Sequence, residues 1–164
     1  MSRTHTVVDS PYGPLTLVAT DSVLSGLYMT GQRHRPAEHT FGAPDPRPFG
    51  ETVRQLDAYF AGELTHFDLP MQLVGTPFQL RVWAQLRAIP YGETRSYGDL
   101  ADALGNRGAS RAVGLANGRN PIGIIVPCHQ VVGASGSLTG YGGGLDRKQR
   151  LLAFERGAPD DALF

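Results

Sequence analysis

Apolar and polar residues alternate over the first part of the chain, which is typical of short strands with one buried face. Pro, Gly, Asp and Ser residues separate the alternating segments and favour turns. The pattern predicts an antiparallel meander with strands over residues 4–9, 14–20 and 23–29. The next segment, residues 31–50, contains four prolines and several glycines, so we predict a loop there.

Helical spacing follows this loop. Over residues 49–61, apolar side chains that include Leu56 and Tyr59 recur at intervals of three or four, which predicts an amphipathic helix. Residues 66–74 alternate weakly and predict a last strand. Thr76 then offers an N-cap and Pro77 a first helical position, so a second long helix is predicted to begin here.

Two short helices with a Gly-containing turn between them are predicted next. One begins at Ser96 and the other covers Ala109–Asn117, with Gly105–Gly108 as the turn, and together they have the form of a helix-turn-helix. The second helix is built from small residues and carries Arg111 as its one long basic side chain. That composition alone favours a tightly packed core helix, because helices that read the major groove carry several Arg, Asn and Gln residues.

Composition narrows the class of protein. The chain of 164 residues has one cysteine, which excludes an intrachain disulfide framework and a Cys-rich zinc site. No apolar run approaches the roughly 20 residues of a membrane helix, and the opening residues do not form a signal-peptide core. We therefore expect a soluble cytoplasmic protein that does not associate with membranes.

The net charge of zero is the sum of two opposite halves. Residues 1–70 carry 5 basic and 8 acidic side chains, for −3, whereas residues 71–164 carry 10 basic and 7 acidic side chains, for +3. No acidic residue lies between Ala103 and Leu145. The C-terminal half can therefore face an anion, although the whole chain is neutral.

The single cysteine lies at the end of an apolar run and directly before a histidine. Apolar surroundings raise the pKa of a thiol, so Cys128 would need a base to become a nucleophile, and His129 can be that base. Glu155, on a helix predicted to begin near Asp146, is a candidate third member, and Asn120 can hold the preceding turn. The pair by itself is also compatible with a cysteine hydrolase, a peroxide sensor or an inert buried cysteine.

The order of several motifs resembles one family, the O6-alkylguanine-DNA alkyltransferases, in their bacterial stand-alone form. The resemblance spans nearly the whole chain, and residues 76–155 are its specific part. The motifs that carry it are Tyr91-Gly92-Glu93-Thr94-Arg95-Ser96-Tyr97, Ser110-Arg111-Ala112-Val113-Gly114, Asn120-Pro121, Pro127-Cys128-His129, Gly140-Tyr141-Gly142-Gly143 and Leu151-Leu152-Ala153-Phe154-Glu155.

The resemblance implies a role for each catalytic residue. Cys128 would accept the alkyl group, His129 would take the thiol proton through a water, and Glu155 would orient that histidine. Asn120 would brace the active-site turn. Tyr97 would donate to the purine as the bond to the alkyl group breaks, with its ring beside the 3′ phosphate of the rotated nucleotide.

The resemblance also implies the partner, double-stranded DNA containing O6-alkylguanine, and O4-alkylthymine as a further lesion. The helix that carries Arg111 would enter the minor groove, and Arg111 would fill the space that the extruded base vacates. The protein would act once, as a monomer, with cooperative assembly on DNA left open. The other residues implied to contact DNA are Ser110, Ala112, Gly114 and Ala116, and those implied to line the base pocket are Val131, Tyr141, Gly142 and Gly143.

The chain departs from the family pattern in two places. Gln130 stands where the family usually has an arginine, which puts local rigidity or rate in doubt. Residues 1–70 contain no cysteine, so the N-terminal zinc site of some relatives is not expected, and no cofactor is implied. Two other functions stay open: a non-catalytic binder of alkylated DNA, and a Cys-His hydrolase.

The expected architecture is a two-domain α/β (α+β) protein. A small antiparallel sheet domain is predicted over residues 1–74, with the Pro/Gly-rich loop at 31–50. A mainly helical, winged-helix-like domain with the helix-turn-helix is predicted over residues 75–164.

Overall fold

The computed structural model describes residues 2–136 and 140–157. The N-terminal part is a four-stranded sheet with the order β3-β2-β1-β4, in which β1, β2 and β3 form the predicted antiparallel meander. Every residue of β2 is buried, so this strand is the centre of the N-terminal core. The four strands are β1 (Arg3–Val8), β2 (Leu15–Thr20), β3 (Val23–Met29) and β4 (Ala43–Pro44).

The predicted loop over residues 31–50 contains more order than its composition indicates. It includes β4, which pairs in parallel with β1, and two 3-10 turns at Glu38–Phe41 and Arg47–Phe49. Phe41 and Phe49 are buried and fix the segment to the sheet. Burial of these two aromatic rings offsets the weak local preferences of a Pro-rich segment.

The strand predicted over residues 66–74 is wrong as a full strand. Only Met71 forms a bridge, in parallel with Leu24 of β3, and the Gln72 N–H donates to the Leu24 carbonyl at 2.8 Å. Pro70 has no N–H to donate, which is one reason why the pairing does not extend toward the N-terminus of this segment.

The two longer predicted helices are present. The first, α1 (Gly50–Phe60), buries Leu56 and Tyr59 on its inner face. The second, α2 (Pro77–Arg87), begins with a capping box in which the Thr76 hydroxyl accepts from the Gln79 N–H and the Gln79 side chain accepts from the Thr76 N–H.

The predicted helix-turn-helix is confirmed. It consists of α3 (Tyr97–Ala103) and α4 (Ser110–Gly118), with a 3-10 turn at Arg107–Ala109 between them. Helix α4 packs on α2, where the Trp83 indole N–H donates to the Ala116 carbonyl at 2.9 Å. The Ala and Gly content of α4 permits this close approach.

The remaining elements bring the C-terminal part against the sheet. Leu27 of β3 donates its N–H to the Pro121 carbonyl at 2.9 Å and bridges to Ile122, so one hydrophobic core runs through both parts. No helix in the described ranges is long and apolar enough to cross a membrane. The other elements are β5 (Arg95–Ser96), β6 (Val131–Val132), which pairs in parallel with β5, and α5 (Leu145–Glu155).

Candidate active site

The turn before Cys128 is held by the side chain of Asn120, as the sequence predicts for this residue. The Asn120 carbonyl oxygen accepts from the Ile122 N–H at 3.0 Å, and its amide donates to the Val126 carbonyl at 2.7 Å. Ile124, inside this turn, has a φ of 67°, a conformation that a β-branched residue rarely adopts. The buried Asn120 therefore stabilises a turn that its own residues do not favour.

The turn delivers Cys128 and His129 on a single 3-10 turn, Cys128–Gln130. The extended backbone that would send their side chains to opposite faces of a strand is therefore absent at these two residues. Cys128 lines a narrow cleft, whereas His129 is completely buried and faces α5.

Cys128 is buried, but the cleft beside it is lined by polar side chains that include Gln32, Asn117 and Asn120, and not by the apolar surroundings that the run before it predicts. Burial raises the pKa of the Cys128 thiol above its ordinary value, although a hydrogen bond from Asn120 and the charge of Lys148 act in the opposite direction. Lys148 is itself fully buried on α5, and burial lowers its pKa to about 8. The resting thiol is thus protonated, and a base is needed to activate it.

His129 and Glu155 form the pair that the sequence predicts. The two atoms His129 Nε2 and Glu155 Oε2 are 2.7 Å apart, and Tyr59 donates its hydroxyl proton to the same Oε2 at 2.5 Å. Burial alone would raise the pKa of Glu155, but the charge and hydrogen bond of His129 and the hydrogen bond of Tyr59 outweigh it, and the pKa is lowered. An ionised Glu155 accepts the Nε2 proton and leaves His129 Nδ1 as the basic nitrogen.

The other ring nitrogen, His129 Nδ1, is buried and has no hydrogen-bond partner among the described residues. Its lone pair is therefore available to a proton that leaves the neighbouring thiol. Glu155 orients this base, and a water has to bridge Nδ1 and the Cys128 sulfur, because no direct hydrogen bond joins them among the described residues.

The cleft beside Cys128, with the solvent at its mouth included, has a volume of about 250 Å³. Tyr141, Gly142 and Gly143 line it, in agreement with the expected base pocket; the preceding residue 139 of this Gly-rich loop lies outside the described residues. Val131 does not line it: this residue is fully buried in β6, beside β5. Gln32 and Asn117 line the cleft instead, and neither residue was predicted to do so from the sequence.

Helix α4 has one exposed and one buried face. Arg111 and Ala112 are exposed, and Leu115 is 70% exposed. Ser110 and Gly114 are half-buried, and Gly114 lies close to the Tyr97 ring. Ala116, which the resemblance places among the DNA contacts, is instead buried against α2 on the same face as Val113. Its side chain is therefore not available to a DNA groove.

A surface groove of about 510 Å³ leads from α4 toward the cleft. Tyr97 lies in it, and the Tyr97 hydroxyl donates to the Gly140 carbonyl at 3.4 Å. The groove and the cleft share Gly118, Tyr141 and Gly142, so a ligand on α4 can reach Cys128 without crossing the core. The pKa of His34, which lies at this groove, is lowered. Desolvation is the largest cause, and the nearby positive charges of Arg119 and Arg33 add to it.

Two further buried residues of the site, Tyr59 and Lys148, are not predicted from the sequence. Tyr59 has the spacing of an ordinary core residue in α1, and nothing local distinguishes its hydroxyl from that of any other tyrosine. Lys148 is the one lysine in a chain with 14 arginines, and this rarity was the available sign that it is unusual.

Gln130 occupies the position where the family pattern has an arginine. It is buried, and its amide donates to the carbonyls of Pro90 and Glu93 at 2.8 and 2.9 Å. The glutamine thus holds the turn between α2 and β5 with two neutral hydrogen bonds. Gly92, at the centre of that turn, lies against the backbone of Glu155.

We expect Gln130→Met to destabilise the protein by about 1–2 kcal/mol, because methionine keeps the volume of the side chain but removes both hydrogen bonds. Equilibrium urea unfolding of the two proteins measures the difference. An unchanged midpoint would contradict the role assigned to the amide group.

Comparisons with known proteins agree with these features. Residues 4–73 match the family model described as "6-O-methylguanine DNA methyltransferase, ribonuclease-like domain", and residues 77–157 match the corresponding "DNA binding domain". The methylated-DNA–protein-cysteine methyltransferase of Mycobacterium tuberculosis H37Rv is 60% identical over 158 residues, which is 96% of this chain and 95% of that protein. The protein of the same name from Methanosarcina acetivorans is 49% identical over 152 residues, 92% of this chain and 97% of that protein.

A solved structure is also similar along its whole length. The crystal structure of Mycobacterium tuberculosis OGT in complex with DNA has a TM-score of 0.92 and 58% identity, and the match covers 98% of each chain. Sequence and structure agree over both halves, and the chain belongs to the 6-O-methylguanine DNA methyltransferase family.

Proposed function

We infer that this chain repairs DNA by transferring an alkyl group from O6 of guanine to its own cysteine, and that Cys128 is the acceptor. The observation that carries the assignment is the position of Cys128, in a narrow cleft on one side of a turn whose next residue is a buried, oriented histidine. The alkyl transfer itself is the activity of the family.

The reaction balances with the groups at this site. A bond forms between the Cys128 sulfur and the alkyl carbon, while the bond between that carbon and guanine O6 breaks. The thiol proton passes to His129, by way of a water, and finally reaches the guanine, which stays in the DNA strand as the ordinary neutral base. Glu155 stabilises the charge on His129 between these two steps.

The alkylated Cys128 explains why the protein acts once. The product is a thioether, and because its sulfur is a poor leaving group, the alkyl group stays on the protein. O4-alkylthymine presents a similar alkyl–oxygen bond, and we propose it as a second lesion for the same cleft.

The approach to DNA follows from α4. O6 of a paired guanine lies inside the duplex, so the nucleotide has to rotate out, at a cost of a few kcal/mol. Arg111 is exposed at the start of α4 and can fill the vacated space, while the small residues beside it allow the helix to enter the minor groove. The groove lined by Tyr97 and Gly114 then leads the rotated base to Cys128.

The remaining proposals concern organisation. We propose that residues 1–74 and 75–164 are two domains with a shared core, and that the protein acts as a monomer in the cytoplasm on double-stranded DNA. No metal or cofactor enters the proposed reaction.

Intact-mass spectrometry tests the function directly. After incubation with a duplex that contains O6-methylguanine, we expect the protein to gain the mass of one methyl group in place of a hydrogen, and peptide mapping to place it on Cys128. The Cys128→Ser variant is the matched control, and it is expected to bind the duplex but to gain no mass.

Three results would point elsewhere. Duplex binding without any mass gain would favour a binding protein, and repeated turnover of an ester or amide substrate would favour a hydrolase. A methyl group found on another residue would remove Cys128 from its assigned role.

A further inference from the structure

Tyr59 is the one hydroxyl donor from the N-terminal half that reaches the catalytic pair in the described structure. It lies on α1, 96 positions before Glu155, and its hydroxyl is 2.5 Å from Glu155 Oε2. The side chain is 2% exposed, so this hydrogen bond is largely shielded from water, and both Tyr59 and Glu155 line a surface cavity. A hydroxyl that donates to an ionised carboxylate forms a charge-assisted hydrogen bond, which is stronger than one between neutral groups.

We propose that Tyr59 is a positioning residue for proton transfer at Cys128, and that it acts by holding the Glu155 carboxylate ionised and in place behind His129. The inference rests on the proposed function, because it assigns a role within the same reaction. It extends the hydrogen-bonded pair of His129 and Glu155 behind Cys128 to three residues and takes the third from the N-terminal half of the chain.

The geometry gives Tyr59 a defined effect. Tyr59 and His129 both contact the same carboxylate oxygen, Oε2, and the two contacts together fix the orientation of the carboxylate. Burial and the charge of Glu155 raise the pKa of Tyr59 well above its ordinary value, so its hydroxyl keeps its proton and acts as the donor. A carboxylate that accepts from Tyr59 accepts the Nε2 proton of His129 as well, which leaves Nδ1 free to receive the thiol proton.

The packing around Tyr59 supports a fixed position. Its ring makes edge-on contacts with Phe60, Tyr91 and Phe154, with ring centroids 5.3, 6.2 and 5.6 Å away. Phe154 directly precedes Glu155 on α5, so the same ring also packs against the helix that carries the carboxylate. The ring therefore positions the hydroxyl, and replacement by phenylalanine removes only the oxygen.

Single-turnover alkyl transfer as a function of pH tests the proposal with Tyr59→Phe. The ionisable groups that face Glu155 are His129, Tyr59, Tyr91 and Tyr141, and His66 and Arg87 line the same surface cavity as Glu155. Without the Tyr59 donor the carboxylate takes up a proton at higher pH, so we expect the acid limb of the profile to move upward. We also expect the rate at pH 7 to fall about tenfold, as for the loss of a hydrogen bond to a charged group.

Two controls separate positioning from packing. Tyr91→Phe removes the hydroxyl of a neighbouring ring for which the described structure shows no hydrogen bond to Glu155, and we expect the wild-type profile. In a Glu155→Gln background, Tyr59→Phe is expected to cause no further loss of rate, because the two residues act as one unit.

The outcomes are distinguishable. An unchanged rate and pH profile in Tyr59→Phe, with normal transfer by the wild type, would overturn the inference alone. A Tyr59→Phe effect of equal size in the Glu155→Gln background would also overturn it, because the tyrosine would then act on stability or packing. Absence of transfer by the wild type would defeat the proposed function and the inference with it.

Discussion

Glu155→Gln is expected to slow alkyl transfer from duplex DNA by about 100-fold, within the range that general acid–base catalysis contributes. Glutamine has the same shape and can still accept from Tyr59, so the cleft and Cys128 stay in place. It carries no negative charge, and His129 therefore loses the partner that stabilises its protonated form. Single-turnover kinetics with an O6-methylguanine duplex measures the loss.

The effect of Glu155→Gln on the free energy of unfolding is also expected to depend on pH. The pKa of Glu155 in the folded protein lies below its ordinary value of 4.5, so its ionised form stabilises the fold fully above about pH 4.5. That contribution declines as the pH falls below 4.5 and through the lower pKa of the folded state. We expect the difference in unfolding free energy between wild type and Glu155→Gln to be greatest near neutral pH and to shrink on acidification.

The prediction has clear ways to fail. Glu63→Gln, which changes a carboxylate on an exposed residue, is the matched control and should leave the rate unchanged. A Glu155→Gln protein that transfers the alkyl group at the wild-type rate would show that His129 needs no charged partner.

Arg111→Ala is expected to reduce transfer from duplex DNA by at least about tenfold, which corresponds to roughly 1.4 kcal/mol of the cost of nucleotide rotation. Transfer from the free base O6-benzylguanine requires no rotation, and we expect the variant to retain it. The side chain is exposed, and none of the ion pairs among the described residues includes it, so its removal leaves the fold intact. Parallel rate measurements on the two substrates give the ratio directly.

Arg54→Ala is the matched control for charge, because Arg54 is an exposed arginine on α1 that pairs with Glu51. We expect Arg54→Ala to leave the rates of transfer from duplex DNA and from O6-benzylguanine nearly unchanged, apart from a small effect of net charge. Equal loss of both activities in Arg111→Ala would refute the role of filling the stack and would indicate a defect at Cys128 itself.

The elements that local patterns govern were predictable from the sequence. Alternation located the meander, and the cap at Thr76 located the start of α2. The strand predicted over residues 66–74 is reduced to one bridge, because pairing there depends on the neighbouring edge of β3. No local sequence pattern reports that edge. The order inside residues 31–50 depends on the burial of Phe41 and Phe49, and burial is a property of the complete fold.

The candidate site also contains residues that local sequence predicts and residues that depend on distant contacts. Cys128, His129 and Asn120 are neighbours in sequence, so their association could be inferred from the sequence alone. The resemblance places Ala116 among the DNA contacts, whereas helical spacing turns it toward α2 on the same face as Val113. Tyr59 was not recognised because its function depends on a contact across 96 positions.

The hydrogen bond and bridge that join β3 to residues 121 and 122 have an evolutionary consequence. Leu27 is joined by its backbone to the turn that carries the nucleophile, and we expect a substitution on one side of this seam to change which residues the other side tolerates. The two halves match separate family models, yet we do not expect them to be exchangeable between relatives as independent modules. We expect chimaeras that join the halves of distant relatives to require compensating changes at this seam before they regain activity.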